Sequence, residues 1–311
     1  MSFRIGRATV TPIVEMVDHS FDFLRFFPLA TERDLAANLA WMAPDHYDPV
    51  RQRLLLSMHA WLVEVDGKRI LIDGCVGDDK QRSGRPDWCG LRTGFLDRLA
   101  AAGATPESID YVLCTHLHAD HVGWNTRLAA GRWVPTFPNA RYVFSRREYA
   151  FWEAQDKQDK PGPHLEAYRD SVLPIVAAGQ AMPVDDDHVI EGVLTLEPAP
   201  GHTPGHVAIW LDCGGAAGVF SGDIIHHPVQ ALHPGWSCMG CIDPVQAAST
   251  RRRLLERCAA SGATLFPGHF MAPHAARIEA TAAGFAVRFL CDDAGPGPPG
   301  HEAAHRGSAG R

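Results

Sequence analysis

The chain is short of several things that would mark its class. Eight cysteines in 311 residues are too few for a disulfide scaffold. No stretch approaches the roughly 18 uninterrupted apolar residues of a membrane span. The amino terminus, Met1-Ser-Phe-Arg-Ile-Gly-Arg7, lacks the apolar core of a signal peptide. No repeat of fixed period occurs. Positive charge is in deficit: 29 Lys and Arg against 36 Asp and Glu leave a net −7, which argues against a nucleic-acid protein working through a broad basic face. With 46% hydrophobic and 21% charged residues, wholesale disorder is excluded. These absences point to a soluble cytoplasmic protein with neither a membrane nor a nucleic-acid partner. What the chain has in excess is histidine, 17 against 5 tyrosines.

Residues 1–50 read as aromatic and irregular, with Phe21, Phe23, Phe26 and Phe27 close together and a helix near Glu32–Met42. Leu54–Val65 alternates, turns at Asp66-Gly67 and returns as Lys68–Asp73. A helix over Gly94–Ala102 precedes a short apolar strand, Ile109–Cys114. Further strands are expected at Arg141–Ser145, Leu194–Pro198, Val207–Asp212, Gly218–Phe220 and Thr264–Phe266. Asp243 and Pro244 open a helix running to Ala260. Strands in two batches, each followed by helix, indicate an α/β chain with helix-covered sheets. The expected organisation is a single domain over residues 1–291, elaborated at about 1–53. A flexible, Gly- and Pro-rich tail is expected over 292–311.

The sharpest feature is Thr115-His-Leu-His-Ala-Asp-His121, directly after a buried strand. Imidazole nitrogen and carboxylate oxygen suit first-row metals, and His116, His118, Asp120 and His121 fall within six residues. So short a segment can hardly bring all four to one tetrahedral ion, and two neighbouring ions solve that geometry. Three more units stand just past strand ends beside a glycine: Gly201-His-Thr-Pro-Gly-His206, Ser221-Gly-Asp223 and Pro267-Gly-His269.

These units, in this order, resemble the metallo-β-lactamase superfamily over roughly residues 55–275. The resemblance implies a four-layer αββα sandwich with a two-metal site at one edge. On it, His116, His118 and His202 would bind one ion, Asp120, His121 and His269 the other, and Asp223 would bridge them. Asp73 matches the superfamily's early Asp-x-Gly motif as a supporting residue and not as a ligand. The implied cofactors are two divalent ions, zinc first, with manganese, cobalt or iron as other choices. The implied chemistry is attack on an ester by a hydroxide shared between the two metals, with Asp120 also moving its proton. Asp223 and His121 argue against antibiotic hydrolysis. The long amino-terminal segment resembles the N-acyl homoserine lactonase and methyl parathion hydrolase branch. Many of those lactonases carry a tyrosine three positions after the bridging aspartate, where this chain has His226.

The expected function is therefore a binuclear metal-dependent hydrolase of a lactone or other carboxylic ester. The alternatives are a phosphotriesterase or a mononuclear iron enzyme like the persulfide dioxygenases, which would use only His116, His202 and Asp223. His226 is assigned to polarise substrate or donate a proton, and Trp124 to the substrate-binding wall, with Trp88, Trp152 and Trp236 as further apolar candidates. The partner is a small molecule with an apolar part, and a homodimer is left open. His59 and His206 read as structural, and His301 and His305 as inert tail residues. Cys238-Met-Gly-Cys241 has no second pair to complete a zinc site. It reads as loop cysteines without a redox role, close to the substrate pocket.

Overall fold

The computed structural model describes residues 1–290 except Lys160 and Ala283. The expected tail over 292–311, with His301 and His305, lies outside the described residues. Two seven-stranded sheets carry the fold. The first runs in the order Phe3–Ile5, Ala8–Asp18, Leu56–Val65, Lys68–Ile72, Tyr111–Leu113, Arg141–Ser145 and Ala181–Val184. The second follows chain order: His188–Ile190, Leu194–Pro198, Val207–Asp212, Ala217–Gly222, Thr264–Pro267, Ala276–Thr281 and Gly284–Phe289.

The period-two alternation of strand side chains builds the layers. Val10, Val63, Ile70, Ile72, Leu113 and Val143 of the first sheet meet Leu194, Leu196, Ile209, Leu211, Phe220 and Phe266 of the second. The opposite faces are covered as well. Leu62, Leu71, Val112 and Phe144 pack with Phe95 and Leu99 of the helix Phe95–Ala101. Ala208, Trp210, Val219 and Leu265 pack with Leu254, Leu255 and Cys258 of the helix Pro244–Ser261. The result is helix, sheet, sheet, helix: the αββα sandwich expected from the motifs. Leu56–Val65, in the interior of the first sheet, is buried on both faces, so the alternation expected of it does not separate core from solvent. No helix among the described residues is long and apolar enough to cross a membrane.

The parallel pairs position the site. Lys68–Ile72, Tyr111–Leu113 and Arg141–Ser145 run parallel in the first sheet, and Ala217–Gly222 and Thr264–Pro267 in the second. Loops leaving the carboxyl ends of such strands are where α/β sheets place ligands.

Residues 1–50 are less irregular than their sequence suggests. Phe3–Ile5 and Ala8–Asp18 are strands, and the latter pairs antiparallel with Leu56–Val65. Pro12 and the register shift between Val14 and Met16 blur the alternation that would have announced it. The helix Glu32–Met42 forms as expected, with a capping box from Thr31 and Asp34.

Glu15, on that unforeseen strand, is buried and accepts hydrogen bonds from the Val76 N–H at 2.8 Å, the Gly77 N–H at 3.1 Å and the Trp124 indole at 2.6 Å. It thereby clamps residues 74–77 to the segment after His121. The backbones there nearly touch: a Cβ on Gly123 would sit 1.8 Å from the Val76 carbonyl oxygen, so only glycine fits. Burial pushes the Glu15 carboxyl up to about 7. The folded chain therefore holds this proton more tightly than the unfolded chain does. The stability it confers is greatest below about 4.5 and is lost as pH rises to about 7. Measured against Glu15→Gln, which stays neutral, the wild-type chain should lose melting temperature across that window and level off above it. A constant difference would contradict the assignment.

Candidate metal centre

Each of the seven candidate ligands is delivered by a loop that leaves a sheet at the same edge. Two residues past the strand Tyr111–Leu113 stands Thr115, whose N–H and hydroxyl both donate to the Asp73 carboxylate, at 2.8 and 2.9 Å. Asp73 also lies 2.9 Å from His121 Nδ1, turning Nε2 of that ring inward. A short helix, Ala119–Val122, puts Asp120 and His121 on successive positions of one turn. Gly222 and Gly268 lead to Asp223 and His269 from the ends of adjacent parallel strands. Behind them, His206 Nε2 accepts the Asp223 N–H at 3.1 Å, and the Ser57 carbonyl lies 3.2 Å from His269 Nδ1.

Buried Glu148 joins the two halves. One of its oxygens accepts the Leu117 N–H at 3.1 Å and the Trp152 indole at 2.8 Å. The other accepts the Thr203 hydroxyl at 2.7 Å and the Gly205 N–H at 3.0 Å. Gly205 has to be glycine, because a Cβ there would lie 2.2 Å from the Glu148 nitrogen.

The side chains converge on Asp223. Its Oδ2 lies 3.5 Å from His116 Nε2, 3.0 Å from His202 Nε2 and 3.1 Å from His226 Nε2. Its Oδ1 lies 2.9 Å from His269 Nε2 and 3.1 Å from His121 Nε2. His118 Nδ1 approaches His202 Nε2 to 2.9 Å, and Asp120 Oδ2 sits 3.7 and 3.9 Å from His269 and His121. The seven fall into two groups able to hold a cation, His116, His118, His202 and Asp223, and Asp120, His121 and His269, while His202 with His226 and Cys238 makes a third such group. All the expected ligands are thus brought together, and one carboxylate presents an oxygen to each group.

The electrostatics fit cations. Burial alone would raise Asp223, but the rings of His121, His226, His269 and His202 hold it well below the usual carboxylate range. Conversely, burial would lower His202, yet the Asp223 charge drives it up to about 10, and His121 and His269 are raised for the same reason. His116 and His118 are pushed well down by burial, so they offer neutral lone pairs. His116 Nε2 is buried without a hydrogen-bond partner, and Asp223 Oδ1, though close to His269 and His121, is buried without a well-directed hydrogen bond from either. Such orphaned atoms are costly, and a divalent ion in each group would satisfy both. Because protons on His121, His202 and His269 must leave as a cation enters, binding strengthens as pH rises.

Other expectations separate clearly. His226 stands in the cluster, its ring stacked on His269 at 5.6 Å and edge-on to Phe26 at 5.5 Å. Trp124 does not belong to a substrate wall. Its indole is buried, stacked on Phe95 at 5.2 Å and bonded to Glu15, because the turn after His121 folds back into the core. Trp152 is the tryptophan beside the ligands, 5.6 Å from His118. His59 is a buried core residue between Ser57 and the Pro267 carbonyl. Two residues escaped the sequence reading. One is Glu148, where Ser145-x-x-Glu148 marks only a helix start. The other is His164, which stacks on His118 at 3.8 Å and accepts the Ala119 N–H from a helix with no sequence signal of its own.

The model of the metallo-beta-lactamase superfamily matches residues 55–269. Among curated relatives, the N-acyl homoserine lactonase AttM of Azorhizobium caulinodans is 30% identical over 193 residues, covering 57% of this chain and 64% of that one. The AttM of Rhizobium radiobacter is 28% identical over 172 residues, 48% of this chain and 57% of its own. The chain thus spans less than two thirds of the length of these relatives. Of solved structures, the hydrolase AbOPH in the beta lactamase superfamily superposes with a TM-score of 0.78 at 25% identity, covering 93% of this chain and 97% of that one. AidC, a dizinc quorum-quenching lactonase, superposes with a TM-score of 0.76 at 21% identity, covering 94% and 97%, a likeness of fold.

Glu148→Ala would leave four buried donors without an acceptor, three of them on two ligand-bearing loops and the fourth the Trp152 indole on its own helix. It should cost about 3 kcal/mol or more of unfolding free energy and weaken metal retention, both read by denaturant titration with and without a chelator. Glu148→Gln, which keeps an acceptor, should recover part of each, and equal losses for the two variants would refute the bracing role.

Proposed function

Because the chain belongs to the metallo-beta-lactamase superfamily, we propose that it is a metal-dependent hydrolase that opens lactones or cleaves related carboxylic esters with two divalent cations, zinc first among them. The observation that carries this reading is the divided carboxylate of Asp223, one oxygen toward His116 and His202 and the other toward His121 and His269. His116, His118 and His202 would hold one ion, Asp120, His121 and His269 the second, and Asp223 both. A cation pair there supplies an activated water and a Lewis acid for the ester carbonyl.

The remaining work falls to the chain's own groups. Asp120, partly freed from ion pairing at 3.7 and 3.9 Å from its histidines, is placed to accept the proton of the attacking water at Oδ2 and return it to the leaving alkoxide. His226, lowered by burial, could donate to the substrate carbonyl by turning its Nε2 from Asp223 Oδ2, 3.1 Å away, and so take the task given to the tyrosine at this position in related lactonases. Phe26 packs against His226 on one side and, with Phe21, Met239, Arg25 and Arg85, lines a pocket of about 250 Å³. That pocket suits an apolar acyl part with a polar end. We read residues 1–291 as one catalytic domain. A single-iron oxygenase would leave Asp120, His121 and His269 without a purpose, which favours the two-cation hydrolase.

Protein of measured metal content, assayed on a panel of lactones, aryl esters and phosphotriesters, tests the reading. Two ions per chain and fastest turnover of a lactone or aryl ester are expected. One iron per chain, or preference for the phosphotriesters, overturns it. Asp223→Ala should empty the site and lower kcat/KM by more than the roughly 100-fold that loss of an outer ligand partner costs. His226→Ala should keep both ions and lose about 10²-fold in kcat with KM little changed, and unaltered kcat would remove His226 from the reaction.

A further inference from the structure

The two thiols of the turn Cys238-Met-Gly-Cys241 have no part in the proposed reaction, yet they touch the metal centre. They are free, with the sulfurs 3.6 Å apart. Both face the outer nitrogen of His202: Cys241 Sγ lies 3.5 Å and Cys238 Sγ 3.8 Å from Nδ1. The inner nitrogen of the same ring faces His118 and Asp223 at 2.9 and 3.0 Å. Cys238 also lies 3.5 Å from His226 Nε2. Backbone bonds fasten the turn on both sides. The Ile242 N–H donates to the His202 carbonyl at 3.0 Å, the Asp243 N–H to Gly201 at 2.9 Å, and the Met239 N–H to Phe26 at 2.8 Å. The outer partner of a metal-binding imidazole is ordinarily a carboxylate, a carbonyl or water, none of which changes with redox conditions. Here it is a pair of vicinal thiols.

We propose that Cys238 and Cys241 form an oxidisable dithiol site that couples disulfide formation to cation retention by His202, an inference that rests on the metal-centre reading above. Cys241 is partly exposed and Cys238 buried, so an incoming peroxide meets Cys241 first. The Cys241 sulfur takes an oxygen from hydrogen peroxide, the O–O bond breaks, and a sulfenic acid and one water result. The Cys238 sulfur then attacks the sulfenic sulfur, the S–O bond breaks, and the hydroxyl leaves with the Cys238 proton as a second water. The pair gives up two hydrogens and two electrons, and the peroxide is reduced to two waters. A cellular dithiol reverses the bond by exchange. Closing the sulfurs from 3.6 Å to a bond of about 2.05 Å removes both S–H groups and draws the sulfurs off Nδ1. The ring then loses what fixes its orientation.

The test uses the full, metal-loaded chain treated with hydrogen peroxide and followed in two ways. Peptide mapping reads the bond between Cys238 and Cys241, and transfer to a chromogenic chelator reads metal release. Expected are a disulfide confined to this pair, reversed by dithiothreitol, and release of one ion about tenfold faster or more in the oxidised form. Cys238→Ser and Cys241→Ser should each abolish the disulfide and the peroxide-dependent acceleration. A disulfide that leaves release unchanged overturns the inference while leaving the metal centre standing. So does a pair that stays reduced, or a third ion bound by the thiols and shielding them. A reduced chain that binds no metal fails the proposed function first and the coupling with it.

Discussion

A buried carboxylate must find positive charge or give up its own, and Asp223 organises this molecule around that requirement. It is 3% exposed and has histidine nitrogens against both oxygens. Isolated in an apolar interior, an ionised carboxylate would be untenable. Ringed by imidazoles it stays ionised, and the same imidazoles then have lone pairs or protons to trade for cations. Much of the surrounding architecture keeps that ring closed. Asp73 turns His121, His206 holds the Asp223 backbone, and Glu148 ties the loop of His118 to that of His202.

The supporting residues have a common physical character. Glu15, Glu148 and Asp73 are buried acids whose oxygens are taken up by backbone N–H groups, hydroxyls or indoles. Each spends a buried acceptor to fix a loop that has no regular structure of its own. Loops carrying ligands cannot be held by ladders of strand bonds, so side-chain acceptors supply the missing partners. That is how the centre is braced although five of its seven donors sit outside strands and helices, Asp120 and His121 alone lying in a short helix.

How far the sequence could be read follows from where information is local. The candidate ligands were legible because each is a metal-competent side chain just past a short apolar strand, so strand and motif announce each other. Arg141–Ser145, Leu194–Pro198 and Val207–Asp212 were legible for their periodicity and match the structure residue for residue. The strand Ala8–Asp18 was not, because Pro12 and a bulge interrupt its alternation. Nor were Glu148 and His164, whose roles arise from contacts 31 to 57 and 45 residues away in the chain. Trp124 misled for the opposite reason: nearness in sequence to His121 says nothing about which way a turn sends an indole.

The donors also have a division of origin. His116, His118, Asp120 and His121 hang from the first sheet, whereas Asp223 and His269 end strands of the second and His202 joins two of its strands. Any ion held by both sets is a rivet through the sandwich, added to the apolar contact and to the hydrogen bonds of Glu148, His59 and Trp61 that already cross between the layers. Occupancy and docking of the layers then become a single thermodynamic event. A chain so loaded could not loosen one sheet from the other without surrendering the ion.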